Sequence, residues 1–135
     1  MRGGKVFTRH DYDRLKRIID DKDTVSDLDE KTVDTLKHDL EHSQLVEPTD
    51  VRPNIVTMNS KICLKNIGNG RKQIYSLVFP GESATESALN VFSCIGTQVL
   101  GSTIGTVIKT NPVEDQYVVI EEILYQPEAA GDYHL

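Results

Sequence analysis

The chain has 135 residues, a net charge of −6, 38% hydrophobic residues and 27% charged ones. That length buries one core of ordinary size, and no stretch approaches the roughly 20 successive apolar residues a membrane span needs, so a soluble globular protein is expected. Divided at Arg52/Pro53, the halves carry 10 basic against 13 acidic residues and 5 against 8; neither has the excess of cations that autonomous binding to duplex nucleic acid requires.

The opening MRGGKVFTRHDYD has basic residues with no apolar core behind them, which is not a secretory signal and makes the cytoplasm the expected location. From Thr8, residues Tyr12, Leu15, Ile18 and Ile19 recur at helical spacing, and Thr8 followed by Asp11 resembles a capping box. The spacing predicts a helix near Thr8 to Asp21. A second helix is expected from near Asp27, capped by that side chain with Glu30 reaching back, and with Val33, Leu36 and Leu40 as its apolar stripe. Pro48 and Pro53 end the helical region because the proline ring lacks an N–H. Two amphipathic helices joined by a short elbow form an antiparallel hairpin.

Beyond Pro53 the period changes. Residues 55–58, 61–65 and 73–79 read as strands, with Gly68-Asn69-Gly70 as the turn between the last two. Val91 to Ile95, Ile104 to Thr110 and Tyr117 to Tyr125 continue the pattern, and Gly96 to Gly101 reads as one short helix laid across the sheet. An α+β domain after a helical hairpin follows, divided near 52/53. Cys63 and Cys94 lie far apart without a CxxC and are expected as reduced thiols.

Some groupings carry apparent chemistry. His38-Asp39-Leu40-Glu41-His42 fits an H-x-x-E-H pattern, yet at 100° per residue His38 and His42 fall opposite the Val33/Leu36/Leu40 stripe and face water. Neither a nucleophile constellation nor a phosphate-cradling glycine loop is evident, so a non-enzyme without cofactor, metal or small-molecule substrate is expected.

Four stretches, NIVTMNSKICLKN, IYSLVFPGE, CIGTQVLGSTIGT and ILYQPEAAGDYHL, resemble the C-terminal domain of the GreA/GreB transcription elongation factor family, in the branch of the regulators of nucleoside diphosphate kinase. Tyr125 to Tyr133 is the most diagnostic stretch and Val56 to Ser60 the next; the likeness is strong from Asn54 to Leu135. The resemblance implies a short antiparallel coiled-coil arm, residues 1–52, followed by an FKBP-like antiparallel sheet domain, residues 53–135. It also implies docking on bacterial RNA polymerase at the rim of the secondary channel, with DNA or RNA met only indirectly. Fold alone does not carry prolyl isomerase chemistry, and the chain has no Trp and only three Phe. Where a typical member has Gly-Asp, this chain has Gly105-Thr106; Gly keeps the turn and the Asp contribution to it is lost.

Asp20, Asp21, Asp23, Asp27, Asp29 and Glu30 crowd the elbow. In cleavage-competent members, acidic residues at the arm tip help hold magnesium in the polymerase active centre, and carboxylates suit that hard cation. Three observations oppose this use here. An arm of roughly 15 residues at about 1.5 Å each is only on the order of 20 Å long, half of what a full Gre arm needs. As an EF-hand starting at Asp21, the sixth position is Ser26 and the twelfth Thr32, not Gly and Glu. Asp27, Asp29 and Glu30 are accounted for by a helix N-terminus, whereas Asp20, Asp21 and Asp23 oppose the dipole by about 0.3–1 kcal/mol each. A solvated elbow is therefore expected, with contact to a basic channel wall as the alternative. Lys5, Arg9, Arg14, Lys16 and Arg17 on the first helix and Lys61, Lys65, Arg71 and Lys72 on the first strand pair are candidate partner contacts. The expected function is non-catalytic regulation of elongation in competition with Gre cleavage factors. The alternatives are a cleavage-stimulating factor using the elbow, or a regulator of nucleoside diphosphate kinase through protein contact.

Overall fold

The computed structural model describes residues 5–21, 30–79, 87–110 and 116–132. In chain order it contains β1 (Val6–Thr8), α1 (Arg9–Asp20), α2 (Glu30–Glu41), β2 (Gln44–Val46), a 3-10 turn (Pro48–Asp50), β3 (Lys61–Asn66), β4 (Lys72–Val78), β5 (Ala88–Asn90), α3 (Cys94–Val99), β6 (Val107–Lys109) and β7 (Tyr117–Tyr125). It is a mixed α+β protein.

Helix α1 starts where the sequence places it. Thr8 is extended at the N-cap, and its hydroxyl accepts the Asp11 N–H at 3.1 Å, satisfying a donor the helix cannot satisfy itself. Leu15 and Ile19 of α1 and Val33, Leu36 and Leu40 of α2 are all buried. They belong to one apolar cluster with Val56, Met58, Ile62, Leu64, Leu77 and Ile120. Each such side chain contributes about 1.5–3 kcal/mol by leaving water, so the helices are fastened by the same core that closes the sheet.

The main sheet has five strands in the order β5-β4-β3-β7-β6. The β3–β4 hairpin is antiparallel, pairing Lys61 with Ser76 and Lys65 with Lys72. Its turn is closed by Asn66, whose Oδ1 accepts the N–H groups of Gly68 (2.8 Å) and Asn69 (3.2 Å). Strand β7 runs antiparallel to both β3 and β6. At Gly105, φ is +95°, a conformation in which a side chain would strain the backbone, and the predicted turn is closed by the Thr106 N–H donating to the Thr103 carbonyl at 3.2 Å.

Several expectations are corrected. The sheet is mixed rather than antiparallel, because β5 lies parallel to β4. Residues 55–58 form no ladder. All four are buried, and their backbone partners differ at each position: Ile55 makes an isolated bridge to Thr103, Val56 bonds Ser102 and Gly101, and Met58 bonds a side chain. A run with both faces buried looks like a strand in sequence whatever its hydrogen bonding. Val91 to Ile95 is no strand either. The strand is Ala88–Asn90, and Ser93 caps α3 by accepting the Gly96 N–H at 3.0 Å. Gly96 has no room for a side chain, as a Cβ there would lie 2.1 Å from the Asn90 carbonyl oxygen. Ordered strand in 104–110 is confined to β6. The three-residue strands β1 and β2, paired in parallel, were not predicted; each is too short to show a period.

Candidate functional site

Where α1 meets the strand-rich part, two carboxyl groups are buried on consecutive residues of the 55–60 segment. Asp11 is 1% exposed. Its Oδ2 accepts the Met58 N–H at 3.0 Å, while Oδ1 finds no partner among the described residues. Glu128 accepts the Thr57 hydroxyl at 2.6 Å, and Thr57 is tied to Ser60 through both its hydroxyl (3.0 Å) and its N–H (3.1 Å). Burial raises the Asp11 carboxyl from its ordinary 3.8 to about 7, and the nearby Glu128 charge adds to this. The Met58 N–H and the Arg14 charge pull the other way. Desolvation wins because one hydrogen bond cannot replace the hydration of a whole carboxylate.

The C-terminal segment holds this joint in place. Gln126 is buried, and its Nε2 donates to the carbonyls of Arg52 (2.8 Å) and Ile55 (2.7 Å). The Tyr125 hydroxyl donates to Asp132, and Asp132 N–H donates to the Pro127 carbonyl at 2.7 Å. That hydrogen bond, with burial second, pushes the Tyr125 hydroxyl up to about 12. Residues 125–132 are thus docked, not a frayed tail. Asp11 was missed as a joint residue because a single carboxylate in a polar helix carries no sign of burial. The signal available was the pair of diagnostic stretches, 56–60 and 125–133, which touch through Thr57 and Glu128.

The acidic elbow is only partly in view. Asp20 ends α1, exposed; Asp21 follows as its C-cap, with its N–H donating to Ile18 O at 3.2 Å; Glu30 opens α2, exposed. Asp23, Asp27 and Asp29 lie outside the described residues. Among the described residues no group of three or more His, Cys, Asp or Glu side chains is placed to hold a metal ion.

The basic candidates divide between two places. On α1, Arg9 pairs with Glu47 at 2.9 Å on the surface, Arg14 lies 3.9 Å over the Phe79 ring, and Lys16 and Arg17 are exposed. On the hairpin, Lys61 and Arg71 are exposed, Lys65 is half-buried opposite Lys72, and Lys72 also meets Glu121 at 3.2 Å. Lys5 sits 3.2 Å from Asp39 of α2 and caps α3 through the carbonyls of Thr97 (2.6 Å) and Gln98 (3.1 Å); it acts inside the structure instead of on a partner. His38 and His42 are exposed as predicted, with ring centroids 4.2 Å apart. Both cysteines are free thiols, Cys63 buried in β3 and Cys94 exposed at the start of α3. The arrangement can hold two helices at a fixed angle on a sheet and present charged faces.

No protein-family model matches the sequence. Curated relatives from Escherichia coli K12 and Shigella flexneri, both named regulator of nucleoside diphosphate kinase, are each 32% identical over 105 residues, spanning 76% of this chain and 77% of their own. A solved structure of a prokaryotic transcription elongation factor GreA/GreB from Nitrosomonas europaea is 23% identical, with a TM-score of 0.76 over 92% of this chain and 100% of its own. At that identity the likeness concerns the fold.

Proposed function

Since the chain belongs to the GreA/GreB-like family, in the branch of the regulators of nucleoside diphosphate kinase, we propose that it is a non-catalytic regulator of transcription. In this reading it binds RNA polymerase at the secondary channel and competes there with Gre cleavage factors. Residues 1–52 form a short antiparallel prong, and residues 53–135 form an FKBP-like anchor. The β1–β2 pairing and the Lys5–Asp39 contact bring the start of α1 beside the end of α2, which supports the hairpin.

Reach is the observation that carries the reading. Among the described residues the two helices have 12 residues each, about 18 Å of helix at 1.5 Å per residue, and their apolar faces are sunk in the common core. A prong of that length occupies an entrance without delivering carboxylates to a distant catalytic magnesium. The Asp11–Met58 and Thr57–Glu128 bonds support a fixed angle between prong and anchor. The protein would work in the cytoplasm; no helix among the described residues is long and apolar enough to cross a membrane.

The test is capture of purified RNA polymerase by the immobilised chain, with and without excess Gre factor. The reading expects capture that Gre abolishes; failure to retain polymerase contradicts it. A second reading, contact with nucleoside diphosphate kinase itself, is favoured by the name of the curated relatives. Capture of purified kinase in place of polymerase would establish it.

A further inference from the structure

The tip of the β3–β4 hairpin joins two residues that can react with each other. Of the six asparagines in the chain, Asn69 is the one followed by glycine; the others precede Ile55, Ser60, Ile67, Val91 and Pro112. An asparagine Cγ lies within reach of the backbone nitrogen of the next residue through a five-membered ring, and a side chain on that next residue obstructs the approach. Gly70 has none. Gly68, Asn69, Gly70 and Arg71 are all exposed. Gly70 holds φ at +75°, and no atom lies within 4 Å of where its Cβ would stand.

The turn prepares the carbonyl side of that reaction. The Arg71 N–H donates to Asn69 Oδ1 at 2.9 Å, which folds the side chain forward along the Gly70 peptide. When a nitrogen adds to Cγ, this oxygen takes the negative charge, and a backbone N–H already aimed at it stabilises the charge as it develops. One restraint opposes the attack: the Gly70 N–H donates to the Asn66 carbonyl at 2.8 Å. An exposed bond at a hairpin tip opens locally at little cost. Asn59 is the contrast. Its neighbour Ser60 is also small, but it is 0% exposed and its N–H donates to the Thr57 carbonyl at 3.1 Å inside the buried joint.

We propose that Asn69-Gly70 is a site of spontaneous covalent modification, converted through a cyclic imide to aspartate and isoaspartate. Hydroxide takes the Gly70 N–H proton, the nitrogen bonds to Asn69 Cγ, and Nδ2 leaves as ammonia with a proton from water. A second water opens the ring. Addition at the Cγ carbonyl breaks the new bond and leaves aspartate; addition at the main-chain carbonyl breaks the original peptide bond and leaves isoaspartate. The net change is one water in and one ammonia out, with no oxidation or reduction. Either product puts a carboxylate in the turn next to Arg71. Isoaspartate also inserts a methylene into the main chain between Asn66 and Arg71, whose bond from the Asn66 N–H to the Arg71 carbonyl, 2.7 Å, closes the hairpin. The β3–β4 ladder is thereby loosened at its closed end, whatever partner the chain binds.

The experiment incubates the full chain at mildly alkaline pH beside a synthetic peptide of residues 66–71, the fragment that trypsin releases by cutting after Lys65 and Arg71. Both are followed by mass spectrometry with fragmentation that separates isoaspartate from aspartate. The chain is expected to convert at Asn69 at no less than about one-tenth of the peptide's rate, the slowing that one exposed hydrogen bond imposes. Asn59 and Asn66 should stay intact, and the circular dichroism melt of the aged chain should fall. Asn69→Gln, whose longer side chain does not close the five-membered ring, should neither convert nor change its melt over the same incubation. Conversion in the chain slower than that limit, or as fast at Asn59 or Asn66 as at Asn69, overturns the site. An aged chain that is converted at Asn69 and melts as the fresh one does overturns the loosening of the hairpin.

Discussion

Replacing Asp11 by Asn should change how stability depends on pH, in a direction the structure fixes. The carboxyl titrates near pH 7 in the folded chain, against an ordinary 3.8. Between those values the folded state holds a proton that the unfolded state has released, so the unfolding free energy falls as pH rises through this window and levels off above it. At 1.36 kcal/mol per pH unit, a window of about 3 units amounts to about 4 kcal/mol, a large part of the 5–15 kcal/mol typical of a domain. Asn is isosteric, still accepts the Met58 N–H and cannot ionise. The stability of Asp11→Asn minus that of wild type should therefore climb by about 4 kcal/mol from pH 4 to pH 8 and then stay level. Taking the difference cancels the other acids. Urea unfolding followed by far-ultraviolet circular dichroism suits a chain without Trp. A difference that is flat across pH 5–8, or that falls as pH rises, would refute the burial argument.

Thr57→Val removes the hydroxyl that donates to Glu128 and leaves a buried carboxylate short of a donor; a loss of about 1–3 kcal/mol in urea unfolding is expected. Gly96→Ala should be far more disruptive, because its Cβ would lie 2.1 Å from the Asn90 carbonyl oxygen. A loss above about 3 kcal/mol, or failure to accumulate as soluble protein, is the outcome to look for. His38→Ala changes an exposed side chain and should move stability by less than about 0.5 kcal/mol. Zinc should stay low in the purified protein by mass spectrometry with or without it.

Much of the architecture can be read from period and caps. Leu15/Ile19 and Val33/Leu36/Leu40 give both helices, Thr8 gives the start of α1, and Gly68-Asn69-Gly70 with its flanking runs gives the β3–β4 hairpin. What escapes is set by distant partners. Three-residue strands such as β1 and β2 have no period, and parallel pairing of β5 depends on a return path that no local pattern encodes. Residues 55–58 imitate a strand because burial on both faces selects the same side chains. The candidate contacts were legible as residue types but not as a surface: Lys61, Lys65, Arg71 and Lys72 stand out in sequence. Their grouping with Lys109, Val107 and Tyr117 follows only from β6 and β7 being added to the hairpin in register.

Reach is tested most directly with a backtracked transcription complex of purified RNA polymerase, its RNA labelled at the 5′ end and resolved on a gel. Added alone, the chain should leave the transcript at full length, and added with a Gre factor it should slow the shortening that Gre produces, increasingly with dose. Shortened transcripts on addition of the chain alone would contradict the account, for they would put its acidic elbow at the catalytic centre.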